Sequence, residues 1–317
     1  MSRVLVALGG NAISKAGEKG TWEEAVANME SVVRPIARLV EDGEELILTH
    51  GNGPQVGSLM IQQEAAKSEA APLPMSALGA MTEGWIGFLI SQVLTNAIED
   101  SGGGHIVMPI VTRVVVSATD PSFRHPSKPV GPYYSENEAR LLKKQRGWVM
   151  EHDPRRGGWR RIVPSPKPID VIEGPAIRRL LDAGLGTWAI IVAGGGGGIP
   201  VVRRRGGKLE AIDAVIDKDR TAALLATMAG VETLAIVTDV PHACVGFNTA
   251  RERPLGKVTS DELARHLQAG EFGNGSMRPK VEAALSFLAQ GGRRAIITDA
   301  FRLGRALQGK AGTLVER

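Results

Sequence analysis

The chain has 317 residues, 43% hydrophobic and 23% charged, with 38 basic against 34 acidic residues and a formal net charge of +4. That length buries a substantial core in one large α/β domain or two lobes, and the small basic excess permits anionic ligands without demanding nucleic acid. An aromatic share of 4% leaves no stacking platform for a single-strand binder, and the lone cysteine, Cys244, excludes an intrachain disulfide framework and fits a reducing, cytoplasmic setting.

Residues 4–11, VLVALGGN, form an apolar run that breaks into glycine and asparagine. Such a run reads as a parallel strand buried on both faces, with an anion-binding turn at its carboxyl end. VLVAL is too short for a signal segment, and no stretch reads as long and apolar enough to span a bilayer, so no membrane is expected. Thr21-Trp22-Glu23-Glu24 offers a capping box, and Trp22, Val26, Met29, Val33, Ile36 and Val40 recur at helical spacing. Pro35 predicts a kink in this helix and Gly43 its end. Strand 45–49 then delivers a second glycine turn within LILTHGNGPQVG at 46–57. The βαβ order implies a parallel sheet with right-handed crossovers. Ser76 is the candidate cap of a long apolar helix reaching about Ile98, either core or subunit interface, and 105–116 reads as one or two strands.

From about 112 to 172 the prolines cluster, charge rises and helical periodicity fades. This region reads as an inserted lid, because long irregular insertions in compact domains are usually functional or disordered. Its Arg155-Arg156-Gly157-Gly158-Trp159-Arg160-Arg161 stretch reads as a hairpin tip. Beyond it come a helix at 175–183, a strand at 187–192 and a third glycine turn within IIVAGGGGGIP at 190–200. A hairpin turn at 203–207 precedes a helix that Asp219 can cap and that ends at Gly230. A strand at 234–238, a helix from Ser260, a helix at 279–290 and a strand at 295–298 complete an α/β chain.

The GxGxxG fingerprint and the GxxxxGK[ST] loop are both absent, and six scattered histidines with one cysteine offer no zinc-type spacing. What remains is three strand-end glycine turns and three lysines in unusual contexts. Lys218 lies between Asp217 and Asp219, Lys280 follows Gly275-Ser276-Met277-Arg278-Pro279, and Lys128 sits among lid prolines. Each lysine alone is usually a surface residue; together with the turns they suggest cations around a transferring phosphate. Phosphoryl transfer is mainly positioning and electrostatic stabilisation, and an acceptor that is already an anion needs no general base. His50 either orients the Gly51-Asn52-Gly53 turn or is a satisfied structural histidine.

The motifs ALGGNAI, THGNGPQVG, GAMTEGWIGF, TRVVV, DPSF, PSKPVGPYY, WRRIVPSPKPIDVIE, AGGGGGIPV, VIDKDRTAALLA, TDV, GSMRPK and GKAGT occur in this order. Together they resemble the carbamate kinases of the amino-acid kinase superfamily over nearly the whole chain. The resemblance implies a three-layer αβα sandwich with a mainly parallel central sheet, formed by one amino-acid kinase domain over 1–317. A protruding lid would occupy 112–172, with a carbamate and phosphoryl lobe at 1–200 and a nucleotide lobe at 201–317. It further implies reversible transfer between ATP and carbamate, giving ADP and carbamoyl phosphate, often run toward ATP in arginine catabolism, by a homodimer. By motif, Gly9, Gly10, Asn11, Gly51, Asn52 and Gly53 would hold phosphoryl oxygens through backbone amides. Lys218 and Lys280 would neutralise the moving charge with Asp219 orienting them, and Lys128 would reach from the lid to carbamoyl phosphate. Thr238, Asp239, Val240, Met277 and Pro279 would lie near the nucleotide, whose phosphates would carry Mg²⁺ without protein ligands.

Three positions depart from the pattern. Thr238-Asp239-Val240 continues into Pro241, where relatives often read aspartate and then an aromatic, which bears on nucleotide affinity more than on chemistry. Arg278 adds a charge beside Lys280, and Gly194 precedes the usual four glycines. The rival readings are another small-molecule kinase of the superfamily, opposed by the motif around Lys128, and a non-catalytic nucleotide sensor, opposed by the retention of Lys128, Lys218, Asp219 and Lys280 together.

Overall fold

The computed structural model describes residues 2–15, 17–153, 157–272 and 277–317. An eight-stranded sheet runs in the order β15 (Lys257–Thr259), β17 (Thr313–Glu316), β16 (Arg294–Asp299), β12 (Thr233–Thr238), β1 (Arg3–Leu8), β2 (Glu45–His50), β9 (Ala189–Val192) and β3 (Ile106–Pro109). Every neighbouring pair is parallel except β16 and β17. β1 reads as an unbroken apolar run because both of its faces are covered: Val4, Val6 and Leu8 enter one core, Leu5 and Ala7 the other. The first core is closed by α1 (Trp22–Glu41), α3 (Met75–Glu99) and α9 (Leu303–Leu307). The second is closed by α5 (Gly174–Asp182), α6 (Lys218–Met228), α7 (Ser260–Gln268) and α8 (Met277–Ala289). The result is the three-layer αβα sandwich with a mainly parallel sheet.

Several local expectations need correction. The Thr21 and Glu24 capping box is present, and α1 includes Pro35 within its span. Pro74, not Ser76, stands at the N-cap of α3, and Ser76 falls inside the first turn. By length and composition α3 is also apolar enough to cross a bilayer, against the sequence expectation. A core helix passes the same test, and here Ile86, Leu89, Ile90 and Leu94 are buried against β1 and α1.

A second sheet orders β11 (Leu209–Ala211), β10 (Ile199–Arg203), β4 (Arg113–Val116) and β8 (Pro168–Val171). Between β4 and β8 the chain makes a three-stranded antiparallel sheet of β5 (Lys128–Tyr134), β7 (Gly158–Val163) and β6 (Val149–Asp153). Of the stretch 155–161 expected to be a hairpin tip, residues 155 and 156 lie outside the described residues and 158–161 belong to β7. Val130 and Val163 pack on Met75, with Met60 and Val215 beside them, and so seat this sheet on the body. Within the region where periodicity fades stands a helix the sequence reading missed, α4 (Glu136–Arg146). Ser135 and Glu138 box its start, and Gly147 ends it in the left-handed region at φ 63°. Only Ala139 is buried in it, so no apolar stripe betrays it. A short hairpin of β13 (Cys244–Val245) and β14 (Arg253–Pro254) completes the strands described.

Candidate active site

The carboxyl ends of β1 and β2 bring the first two glycine turns into contact. A Cβ on Gly51 would stand 3.0 Å from the Gly10 nitrogen, 3.1 Å from its Cα and 3.5 Å from Cδ of Lys218. One on Gly9 would stand 3.2 Å from the Val237 carbonyl oxygen and 3.9 Å from Cα of Thr238, at the end of β12. Side chains are excluded where the three strand ends and a lysine stem converge. Gly53 opens α2 (Gly53–Ala65), with Asn52 at its N-cap, so the free amides of a helix start face the same junction. The Asn52 amide donates to Thr82 Oγ1 at 2.8 Å, and Thr82 in turn donates to the Gly79 carbonyl at 2.7 Å. Asn11 stands in the turn Gly10–Ala12; its side chain lies outside what the structure describes.

The lysines gather at the starts of α6 and α8. Asp217, not Asp219, caps α6: its Oδ1 accepts from the Asp219 backbone N–H at 3.0 Å. Relieved of capping, Asp219 turns inward, 3% exposed, and accepts from Lys218 Nζ at 2.5 Å and from Lys280 Nζ at 3.0 Å, one lysine on each oxygen. Burial pushes the Asp219 carboxyl upward, but the two ammonium groups and their hydrogen bonds outweigh it and hold it below the ordinary carboxylate range. Lys280, 7% exposed, keeps its charge out of water only through this pairing. Lys128, at the start of β5, donates to the other oxygen of Asp217 at 3.0 Å and remains partly exposed. Three ammonium groups thus share two carboxylates, and the stem of one of them, Lys218, runs beside Gly51.

Thr238 ends β12, and its hydroxyl donates to Asp239 Oδ1 at 3.1 Å; Asp239 is exposed and Val240 half-buried beyond it. Met277 and Pro279 form the first turn of α8 next to Lys280, while Gly275 and Ser276 lie outside the described residues. Arg278 points outward and pairs with Glu282 at 3.0 Å. Cys244, half-buried in β13, is a free thiol pushed up by burial and by Glu252. Among the described residues no group of three or more histidine, cysteine or acidic side chains stands ready to hold a metal.

The third glycine turn works from behind. Cβ atoms would fall 2.4 Å from His50 Nε2 at Gly195, 2.1 Å from Asn52 Nδ2 at Gly196, and 2.3 Å from the Ile216 carbonyl oxygen at Gly197. Gly196 and Gly197 also have φ of 64° and 95°, which side chains rarely adopt. Thr49 donates to the Gly194 carbonyl and Thr221 to that of Gly197, each at 2.9 Å. Hence this run lets backbone press against the second turn and against α6. His50 is fully buried; its Nδ1 donates to the Gly51 carbonyl at 3.0 Å, since a carbonyl only accepts. Burial lowers its pKa to about 4, the Gly51 bond opposing and the Lys218 charge assisting, so at neutral pH it orients the turn as an uncharged donor.

Residues 2–299 match the Amino acid kinase family. The carbamate kinase of Thermococcus kodakarensis is 45% identical over 320 aligned residues that cover all of both chains. That of Pyrococcus horikoshii is 43% identical over 99% of this chain and 98% of its own. The structure of the Giardia lamblia carbamate kinase bound to AMP-PNP matches with a TM-score of 0.91 at 36% identity, covering 99% of this chain and 98% of that one. The chain belongs to the amino acid kinase family and, within it, to the carbamate kinases.

Proposed function

We propose that the protein moves a phosphoryl group reversibly between ATP and carbamate, giving ADP and carbamoyl phosphate, with Lys128, Lys218, Asp219 and Lys280 as the catalytic set. Asp219, buried between two lysines where α6 and α8 begin, carries this reading. Carbamate attacks as an anion, so the protein has no proton to remove; its task is to align two anions and offset charge on the transferring oxygens. Lys218 and Lys280, held by a carboxylate that cannot swing away, present ammonium groups already in place. Amides of the turns at Gly9, Gly10, Asn11, Gly51, Asn52 and Gly53 bind the equatorial oxygens, and Lys128 reaches carbamoyl phosphate from the lid.

The nucleotide lies by Thr238, Asp239, Val240, Met277 and Pro279 at the ends of β12 and α8. Mg²⁺ would enter with it and supply positive charge at the nucleotide phosphates; the oxygens of Asp217 and Asp219 are engaged by lysines and a backbone amide. Residues 112–172 form the lid, 1–200 the acceptor lobe and 201–317 the nucleotide lobe of the domain 1–317. We also propose a cytoplasmic homodimer joined through α3, because Trp22 and Phe88 stack 5.9 Å apart on its exposed side with Trp85 adjoining. The ATP-forming direction suits carbamoyl phosphate supplied by arginine breakdown. Given ADP, Mg²⁺ and carbamoyl phosphate, the protein forms ATP, and Lys128→Ala loses roughly tenfold or more of that rate. No ATP from the unaltered protein overturns the assignment.

A further inference from the structure

Glu83 lies in mid-α3, 5% exposed, and neither the glycine turns nor the lysines account for a carboxyl there. Its Oε2 accepts from the Thr112 backbone N–H at 2.7 Å, while Oε1 is buried with no hydrogen-bond partner among the described residues. Burying an ionised carboxylate with a single neutral donor is costly. Burial raises its pKa well above the usual range, the Thr112 N–H opposing and the charge of Glu173 assisting, so the group is held toward its neutral acid form.

The residue it grips is a hub. Thr112 Oγ1 accepts from the Gly194 N–H at 2.9 Å and donates to the Ile110 carbonyl at 2.8 Å, and its own carbonyl accepts from Ile199 N–H at 2.8 Å. Both ends of the third glycine turn are therefore tied to one threonine. That turn presses on His50 and Asn52, and a Cβ at Gly195 would also stand 3.1 Å from Cγ of Glu83 itself. Thr82, the neighbour of Glu83, holds Asn52 directly. One turn of α3 thus supports the second cradle from two sides.

We propose that Glu83 is a positioning residue for phosphoryl transfer: by fixing Thr112 it seats the third glycine turn behind His50 and Asn52, and so sets the aim of the Gly51, Asn52 and Gly53 amides. The proposal rests on reading that second turn as the phosphoryl cradle. Misplacement of reacting groups by about 1 Å costs roughly a hundredfold in rate, which gives the scale.

Kinetics of ATP formation and thermal melts of four variants decide it. Glu83→Gln keeps an acceptor for Thr112 and an uncharged head, and retains kcat within about threefold, whereas Glu83→Ala lowers kcat roughly ten- to a hundredfold in folded protein with little change in KM for ADP. Thr112→Val leaves the N–H to Glu83 but removes the tie to Gly194, and lowers kcat about tenfold; it keeps the test open if Glu83→Ala does not fold. Wild-type kcat in folded Glu83→Ala or in Thr112→Val, an effect confined to KM for ADP, or Glu83→Gln as damaged as Glu83→Ala overturns the proposal. Lys218→Ala is the control: if it keeps full kcat, the reading of the site fails instead.

Discussion

At the starts of α6 and α8 the protein buries ions, whereas behind the second glycine turn it buries titratable groups without charge. Asp219 is held ionised by Lys218 and Lys280, while His50 is pressed down to about 4 and Glu83 is pushed up, both toward neutrality. Under the proposed roles, the difference follows from the task of each region. Offsetting charge on a moving phosphoryl group needs net cations, and these stay in place only if a counter-ion absorbs their desolvation cost. Aiming backbone amides needs shape and neutral hydrogen bonds, because a fixed extra charge there would compete with the ligand.

The sharpest break in this contrast is expected at the buried ions. Lys218→Ala or Lys280→Ala lowers kcat by roughly a thousandfold with a smaller change in KM, because those charges matter most in the transition state. An effect confined to KM counts against that role. Removal of Lys280 also leaves Asp219 with one partner, for an expected loss of about 3 kcal/mol in urea unfolding. On the neutral side, Gly196→Ala must push aside Asn52 and adopt a φ of 64°, and is expected to cost about 2 kcal/mol and at least tenfold in kcat. Wild-type rates in that variant would mean that the third turn does not brace the second.

A pH series sharpens the contrast. His50 is neutral in the fold down to about 4 but titrates near 6.5 in the unfolded chain, so the unfolded state binds the extra proton between those values. Its contribution to stability is complete above about 6.5 and falls by about 2 kcal/mol as pH drops to about 5, a loss that His50→Gln largely removes. Asp219, depressed, weakens the fold only at lower pH, as the medium enters the ordinary carboxylate range. The smallest effect on stability belongs to Lys128→Ala, whose partly exposed pair with Asp217 is worth at most about 1 kcal/mol and less in high salt.

Legibility in the sequence followed the same division. Strands buried on both faces print as apolar runs, so β1, β2, β9 and β12 and the turns after three of them were readable. The sequence Asp217-Lys218-Asp219 offers two caps for one helix, and only the position of Lys280, sixty-odd residues away, decides that Asp217 caps and Asp219 turns inward. α4 escaped because a helix burying only Ala139 shows no stripe, although Ser135, Glu138 and Gly147 mark its ends. Glu83 escaped because a carboxylate in a long helix reads as solvated until the packing of α3 on Thr112 and Gly195 is known.

Asp217 divides its two oxygens between different parts of the molecule: Oδ1 holds the first turn of α6, and Oδ2 holds Lys128 at the start of β5. The cap of α6 therefore does not depend on the contact with Lys128. Under the role proposed for Lys128, its departure toward a phosphate would leave the helix its cap and the pairing of Lys218 with Asp219 intact, and the vacated oxygen of Asp217 would be the parking place to which the lysine returns.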